Sequence, residues 1–182
     1  SNETFEPASI CATAARIIAP RIDKELTAIR GKKRAGAPLT NGERIYLESG
    51  LGGIRSEAAR GFPSLLRGLE ALESARNKGA SYRDAALHSL LIIMLHCEDT
   101  NIVHRAGLEF WRDAYREAVG ETIRAFDPLR PGTYEPLKKL NRFLIEKNAS
   151  PGGAADLLAC TLFAYRSNIS DNTTGIPGQE VV

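Results

Sequence analysis

The chain has 182 residues, 43% of them hydrophobic and 25% charged, enough apolar material for one domain with a real core. Its 24 lysines and arginines nearly balance 22 aspartates and glutamates, and the net charge of +2 lacks the basic excess expected of a protein held by nucleic-acid phosphates. No apolar run approaches the ~20 residues that span a bilayer and no charged-then-apolar leader is visible, so no membrane role and a cytoplasmic location are expected. Three separated cysteines, Cys11, Cys97 and Cys160, form no CxxC pair and read as small buried thiols. The chain opens on Ser1-Asn2 and its only methionine is Met94, so the first residues read as a tag remnant and the chain as part of a longer protein.

The hydrophobic period is helical nearly throughout. Ile10, Ala14, Ile17, Ile22, Leu26 and Ile29 fall on one broad helix face, with a kink expected at Pro20. Residues 31–38, rich in Gly, Lys and Arg, read as a basic loop, either simply solvated or guiding a polyanionic substrate. Thr40 and Glu43 form a capping box at the start of the next helix, and Gly50, Gly52 and Gly53 end it. A short turn with Arg55 and Glu57 follows, closed by Gly61. Pro63 then suits a first helical turn, with Leu65, Leu69 and Leu72 as the apolar stripe and Gly79 at the end.

Ser81 and Asp84 cap a helix whose centre, residues 90–95, is apolar on all sides and is therefore expected to be the buried central helix. Leu108, Trp111, Tyr115, Ala118, Thr122 and Phe126 mark an amphipathic helix, and residues 127–133 a loop. Leu137, Leu140 and Leu144 mark the next helix. Ser150 as N-cap and Pro151 in the first turn open the last one, whose wide apolar face includes Leu157, Cys160, Thr161 and Phe163. The expectation is an all-α, compact multi-helix bundle: one helical domain over 1–167 and a loose polar tail over 168–182.

Three segments have the residue types that phosphate and carboxylate chemistry needs. In the first, Arg55 lies among Gly50, Gly53 and Gly61, with Glu57 alongside. An arginine between glycines can clamp a phosphate, though the same pattern also arises from helix termination with a surface ion pair. The second follows the apolar helix, where Asp99 and Asn101 carry the oxygen ligands Mg²⁺ prefers and Arg105 can take a phosphate. Alternatively, Asp99 simply caps the next helix. In the third, Gly152 and Gly153 leave backbone N–H groups bare at a helix start, a ready anion site, or else allow close helix packing. Asp156, one turn further in, is expected to be buried and to hold a metal or an arginine.

Taken together these segments resemble the C-terminal part of the triphosphoribosyl-dephospho-CoA synthase family. The resemblance lies in Thr40-x-Gly42-Glu43, Gly50-x-x-Gly53-x-Arg55-x-Glu57-Ala58-x-x-Gly61-Phe-Pro63, Asp99-Thr-Asn101 with Arg105-x-Gly107, and Ser150-Pro-Gly-Gly-x-Ala-Asp-Leu-Leu-Ala159. It covers about residues 40 to 165, in order and with similar spacing. The Pro-Gly-Leu-Val and Asn-Thr-His-Lys-Gly motifs of the family's N-terminal half do not occur here.

The resemblance implies a transferase that moves the 5-triphosphoribosyl group of ATP to a ribose hydroxyl of 3′-dephospho-CoA and releases adenine, for the prosthetic group of citrate lyase or malonate decarboxylase. It implies Glu57 and Asp99 as the catalytic carboxylates. Arg55, Asn101, Arg105, Ser150, Gly152 and Gly153 would hold phosphates, and Asp99 and Asp156 would hold the Mg²⁺ that accompanies ATP. The missing N-terminal half, or a second copy, would be the protein partner. A non-catalytic helical module that binds a nucleotide or partner is the alternative, and a nucleotide hydrolase with water as acceptor a further one.

Overall fold

The computed structural model describes residues 6–173, with side chains to residue 167, and every regular element among them is helical. The helices are α1 (Pro7–Arg34), α2 (Asn41–Ser49), α3 (Ile54–Ala59), α4 (Pro63–Asn77), α5 (Tyr82–His96), α6 (Thr100–Ala106) and α7 (Leu108–Phe110). A π turn (Trp111–Tyr115) joins α7 to α8 (Arg116–Ala125), and α9 (Glu135–Glu146) and α10 (Gly152–Thr173) follow. None of the helices is long and apolar enough to cross a membrane, among the described residues.

The expected central helix is α5, which packs on α4, α8 and α10. Leu91, Ile93 and Met94 are buried there, with Tyr115 and Val119 from the π turn and α8 and Leu140 and Leu144 from α9. The α4–α5 crossing is close. A Cβ on Gly68 would lie 2.6 Å from Ile93, and the buried Ser89 hydroxyl donates to the Gly68 carbonyl at 2.8 Å. The small residue lets the backbones approach, and the hydroxyl satisfies a carbonyl that burial would otherwise make costly.

Several helix ends form as the sequence predicts. Glu43 N–H donates to Thr40 Oγ1 and Thr40 N–H to Glu43 Oε2, which closes the capping box. Gly50 ends α2 in the left-handed region at φ 76°, and Ser81 Oγ accepts from the Asp84 N–H at the start of α5.

Other expectations need correction. The first helix continues through Pro20 to Arg34, so residues 31–34 of the predicted basic loop are its last turn; Lys32 is drawn onto Glu43 at 2.7 Å. Ile10 and Ile17 are exposed although they belong to the predicted apolar face, because α1 packs mainly on the short α3 and buries Cys11, Ile22 and Ile29. The predicted helix over 108–126 contains the π turn, whose extra residue sets Trp111 and Tyr115 into the core. The last helix begins at Gly152, so Ser150 lies outside it. Its buried face is the narrower stripe of Ala154, Leu157, Thr161 and Ala164, with Cys160 and Phe163 exposed. That helix also extends to Thr173, into the segment read as a tail; the rest of the segment lies outside the described residues.

Candidate active site

The C-terminal end of α5 is where the predicted segments meet. The chain leaves α5 at Cys97 and runs through Glu98 to Asp99, the N-cap of α6. Asp99 is 2% exposed. Its Oδ1 accepts the Asn101 N–H at 3.0 Å, and its Oδ2 accepts the Ala154 N–H of α10 at 3.3 Å. One carboxylate therefore serves two helix starts, where backbone N–H groups lack intrahelical partners and the dipole favours negative charge. Burial pushes the Asp99 carboxyl above the ordinary aspartate range, and the N–H groups of Ala154, Asn101, Ile102 and Gly153 pull it part of the way back.

The glycines around Asp99 make room for it and its neighbours. A Cβ on Gly153 would lie 3.3 Å from Asp99 Oδ2, and one on Gly152 would lie 3.0 Å from Asn101 Nδ2. On the opposite side Gly53, at φ 57°, passes so close to Thr100 that an added Cβ would be 3.0 Å from both Cγ2 and Oγ1. The Gly52 N–H donates to Glu98 Oε2 at 3.1 Å, while Glu98 Oε1 pairs with Arg60 at 2.9 Å. The two glycine-rich segments, about a hundred residues apart in the chain, thus close on the same short link between α5 and α6.

Glu57, also 2% exposed, accepts the Ser64 N–H in the first turn of α4. Phe62, just ahead, adopts the left-handed region at φ 55°, and Pro63 follows as the first residue of the helix. Both expected catalytic carboxylates are therefore buried at helix starts. Cys97 lies between them. Burial, followed by the negative charges of Asp99, Glu57 and Glu98, pushes its thiol far above the ordinary range, so it stays protonated and is no nucleophile.

Not every predicted residue joins this cluster. Arg55 is half-exposed and sits 3.8 Å from Glu25 of α1. It lines a cleft of about 220 Å³ with Thr40, Gly42, Tyr46, Gly52 and Thr100. Arg105 and Ser150 line a different cavity, a groove of about 580 Å³ between α5 and α9. Asp156 is exposed on α10 rather than buried. Sequence reasoning missed Thr100, the Glu98–Arg60 pair and Tyr46. None carries a spacing signal, since each contact joins segments far apart in the chain. It also missed the contact between Asn41 and His104, 3.2 Å apart, that ties α2 to α6.

The family described as ATP:dephospho-CoA triphosphoribosyl transferase matches residues 2–174. The chain belongs to this family. A Streptococcus mutans protein named "Probable 2-(5''-triphosphoribosyl)-3'-dephosphocoenzyme-A synthase" is 36% identical over 158 residues, covering 85% of the chain and 51% of the relative. Proteins of the same name from Azotobacter vinelandii and Vibrio cholerae are 38% and 39% identical, over 85% and 73% of the chain and 56% and 42% of those relatives. The chain thus spans about half the length of the curated relatives it matches. No solved structure matches it.

Among the described residues no group of three or more His, Cys, Asp or Glu side chains could hold a metal ion. Both Asp99 oxygens already accept backbone N–H groups, and Asp156 faces solvent. These residues do not build a metal cage of their own.

Proposed function

We propose that this chain takes part in moving the 5-triphosphoribosyl group of ATP to a ribose hydroxyl of 3′-dephospho-CoA, with adenine as the leaving group. In that reaction the acceptor oxygen forms a bond to the sugar's anomeric carbon and the bond from that carbon to adenine breaks. The proton lost by the hydroxyl is balanced by the one gained by adenine. The observation that carries this reading is the buried Asp99, at which segments lining two separate clefts meet. Thr100, next in the chain, lines one cleft, and Ser150 and Pro151, just ahead of Gly153, line the other.

A carboxylate whose affinity for protons is raised by burial is a better base near neutral pH than a solvated one, so Asp99 is assigned to the acceptor hydroxyl proton. Glu57 is the second carboxylate. Its negative charge favours the positive charge that builds on the sugar as adenine leaves. Arg55 in one cleft and Arg105 in the other supply positive charge for phosphates, with Asn101, Ser150, Gly152 and Gly153 at the α10 start between them. Mg²⁺ enters with ATP, held by phosphate and water oxygens as is usual for this ion, with the solvent-facing Asp156 as the carboxylate left free to meet it. A cytoplasmic setting fits the free thiols. The remainder of the family's length, which carries the N-terminal motifs, completes the site.

The test is adenine release from ATP, with and without dephospho-CoA, by the chain alone and with a polypeptide covering the remainder of a full-length relative. The expected result is release that requires both dephospho-CoA and the added polypeptide. ATP binding without release under any condition would make the chain a non-catalytic nucleotide-binding module. Release that needs no acceptor would make it a hydrolase.

A further inference from the structure

The groove between α5 and α9 differs in chemistry from the cleft that holds Arg55. Its walls are aliphatic: Leu87, Leu90 and Met94 on one side, Leu137, Leu140 and Ile145 on the other. Arg105 is the one charged residue in its lining, and Asn141, Asn148 and Ser150 are the polar ones. Asn148 holds the turn between α9 and α10 at φ 51°, a conformation asparagine tolerates better than most residues, and so sets the groove's end at the start of α10. At about 580 Å³ the groove has the size and mostly apolar lining of a small-molecule site with a few orienting polar groups.

An aliphatic wall with one arginine does not suit a triphosphate, which would lose its hydration with little in return. It suits a long ligand that is apolar along most of its length, carries amides, and has a diphosphate at one end. The larger cavity, between α8 and α9, is the poorer match, because three carboxylates in its lining, Glu117, Glu121 and Glu135, outnumber its two cations, Lys139 and Arg142. The Arg55 cleft, where Thr40, Tyr46 and Thr100 stand beside Leu26, Ile29, Leu51 and Ile54, is the more polar of the two.

We propose that the α5–α9 groove binds the pantetheine arm of the dephospho-CoA acceptor, with Arg105 on its diphosphate and Asn141 and Asn148 beside its amides, so that Arg55 and not Arg105 meets the phosphates of ATP. This assignment rests on the transferase reading and removes Arg105 and Ser150 from the ATP site. It leads the acceptor's adenosine end toward the α10 start, where Asp99 accepts the Ala154 N–H.

Ile145 provides the test, because it is 69% exposed and a charge there does not enter the core. Dephospho-CoA, pantetheine and ATP are titrated calorimetrically into the wild-type chain, Ile145→Glu, Arg105→Ala and Arg55→Ala, with melting curves to confirm folding. Arg105→Ala and Ile145→Glu are expected to weaken dephospho-CoA binding by about tenfold or more and to leave ATP unchanged, with Arg55→Ala doing the reverse. Pantetheine is expected to compete with dephospho-CoA and to be weakened by Ile145→Glu. Dephospho-CoA bound equally by wild type and both groove variants overturns the proposal. So does ATP weakened by the groove variants, which would make the groove an ATP site. A wild-type chain that binds ATP but no dephospho-CoA removes the groove assignment and leaves the transferase reading standing. A chain that binds neither ligand removes the groove assignment, and the adenine-release assay with the remainder of a relative then decides the transferase reading.

Discussion

The two ends of α5 each bury an aspartate at a helix start, and they solve the problem differently. At the N-terminal end, Asp84 is 4% exposed and receives two hydroxyl donors, Ser81 Oγ and Tyr134 Oη, each at 2.7 Å. These hydrogen bonds, led by Ser81, hold its carboxyl below the ordinary range, and Tyr134 in turn lies under the Arg83 guanidinium. At the C-terminal end Asp99 is equally hidden but is met by backbone N–H groups, and burial outweighs them. Asp84 is thus stabilised as an anion by its surroundings, whereas burial works against the charge on Asp99. A group whose charge its environment disfavours is a candidate for chemistry, and one fully satisfied by its neighbours is a candidate for architecture.

The largest expected effect sharpens this contrast. Asp99→Asn should reduce adenine release, in the complemented assay, by roughly 100-fold or more, since it removes a general base while keeping the shape. Its melting temperature at neutral pH should change little, because losing the desolvated charge offsets the one backbone N–H left without an acceptor. A large fall in melting temperature with activity retained would make Asp99 a structural cap like Asp84.

Asp84→Ala should do the opposite. It leaves the Ser81 and Tyr134 hydroxyls without their acceptor and should cost about 2–3 kcal/mol of stability, seen in denaturant titration, with ATP affinity unaltered. Gly153→Val comes next. Its Cβ would already lie 3.3 Å from the Asp99 carboxylate, so the branched side chain should lower stability by about 1–3 kcal/mol and weaken dephospho-CoA binding together. Unchanged melting and unchanged binding would remove Gly153 from the site.

The smallest effect is a pH slope. Asp84 has a lowered pKa, so its contribution is present above about pH 4 and is lost as pH falls through its folded value. Asp99 has a raised pKa, so its contribution is present below about pH 4 and is lost as pH rises through its folded value. The difference in melting temperature between wild type and Asp84→Asn should therefore grow in favour of wild type from pH 3 toward neutral. The difference for Asp99→Asn should move against wild type over the same interval. Slopes of the same sign would break the comparison between the two ends.

Much of the fold was legible because local chemistry writes helix ends into short spans. The Thr40–Glu43 box, the Ser81 cap, Pro63 and the left-handed Gly50 each need only a few neighbouring residues to act, and each acts as expected. The buried character of α5 was legible for the same reason, since an apolar run with no polar face has no stable place at a surface. Periodicity was less informative where partners are few. Ile17 and Phe163 keep the helical phase yet are 73% and 68% exposed, because phase says which face is apolar and not whether anything covers it.

The candidate site divides along the same line. Asp99 as a helix cap, the bare glycines and the arginines among them could be named from residue type and spacing. Tertiary structure alone decided that the Asp99 carboxylate would lie against Gly153, that Gly53 would close on Thr100, and that Arg55 and Arg105 would face different cavities. Each of those depends on distances between segments separated by tens of residues, which no local pattern encodes. Whether a glycine presents its N–H to a phosphate or makes room for a neighbouring carboxylate is set by what the fold brings opposite it.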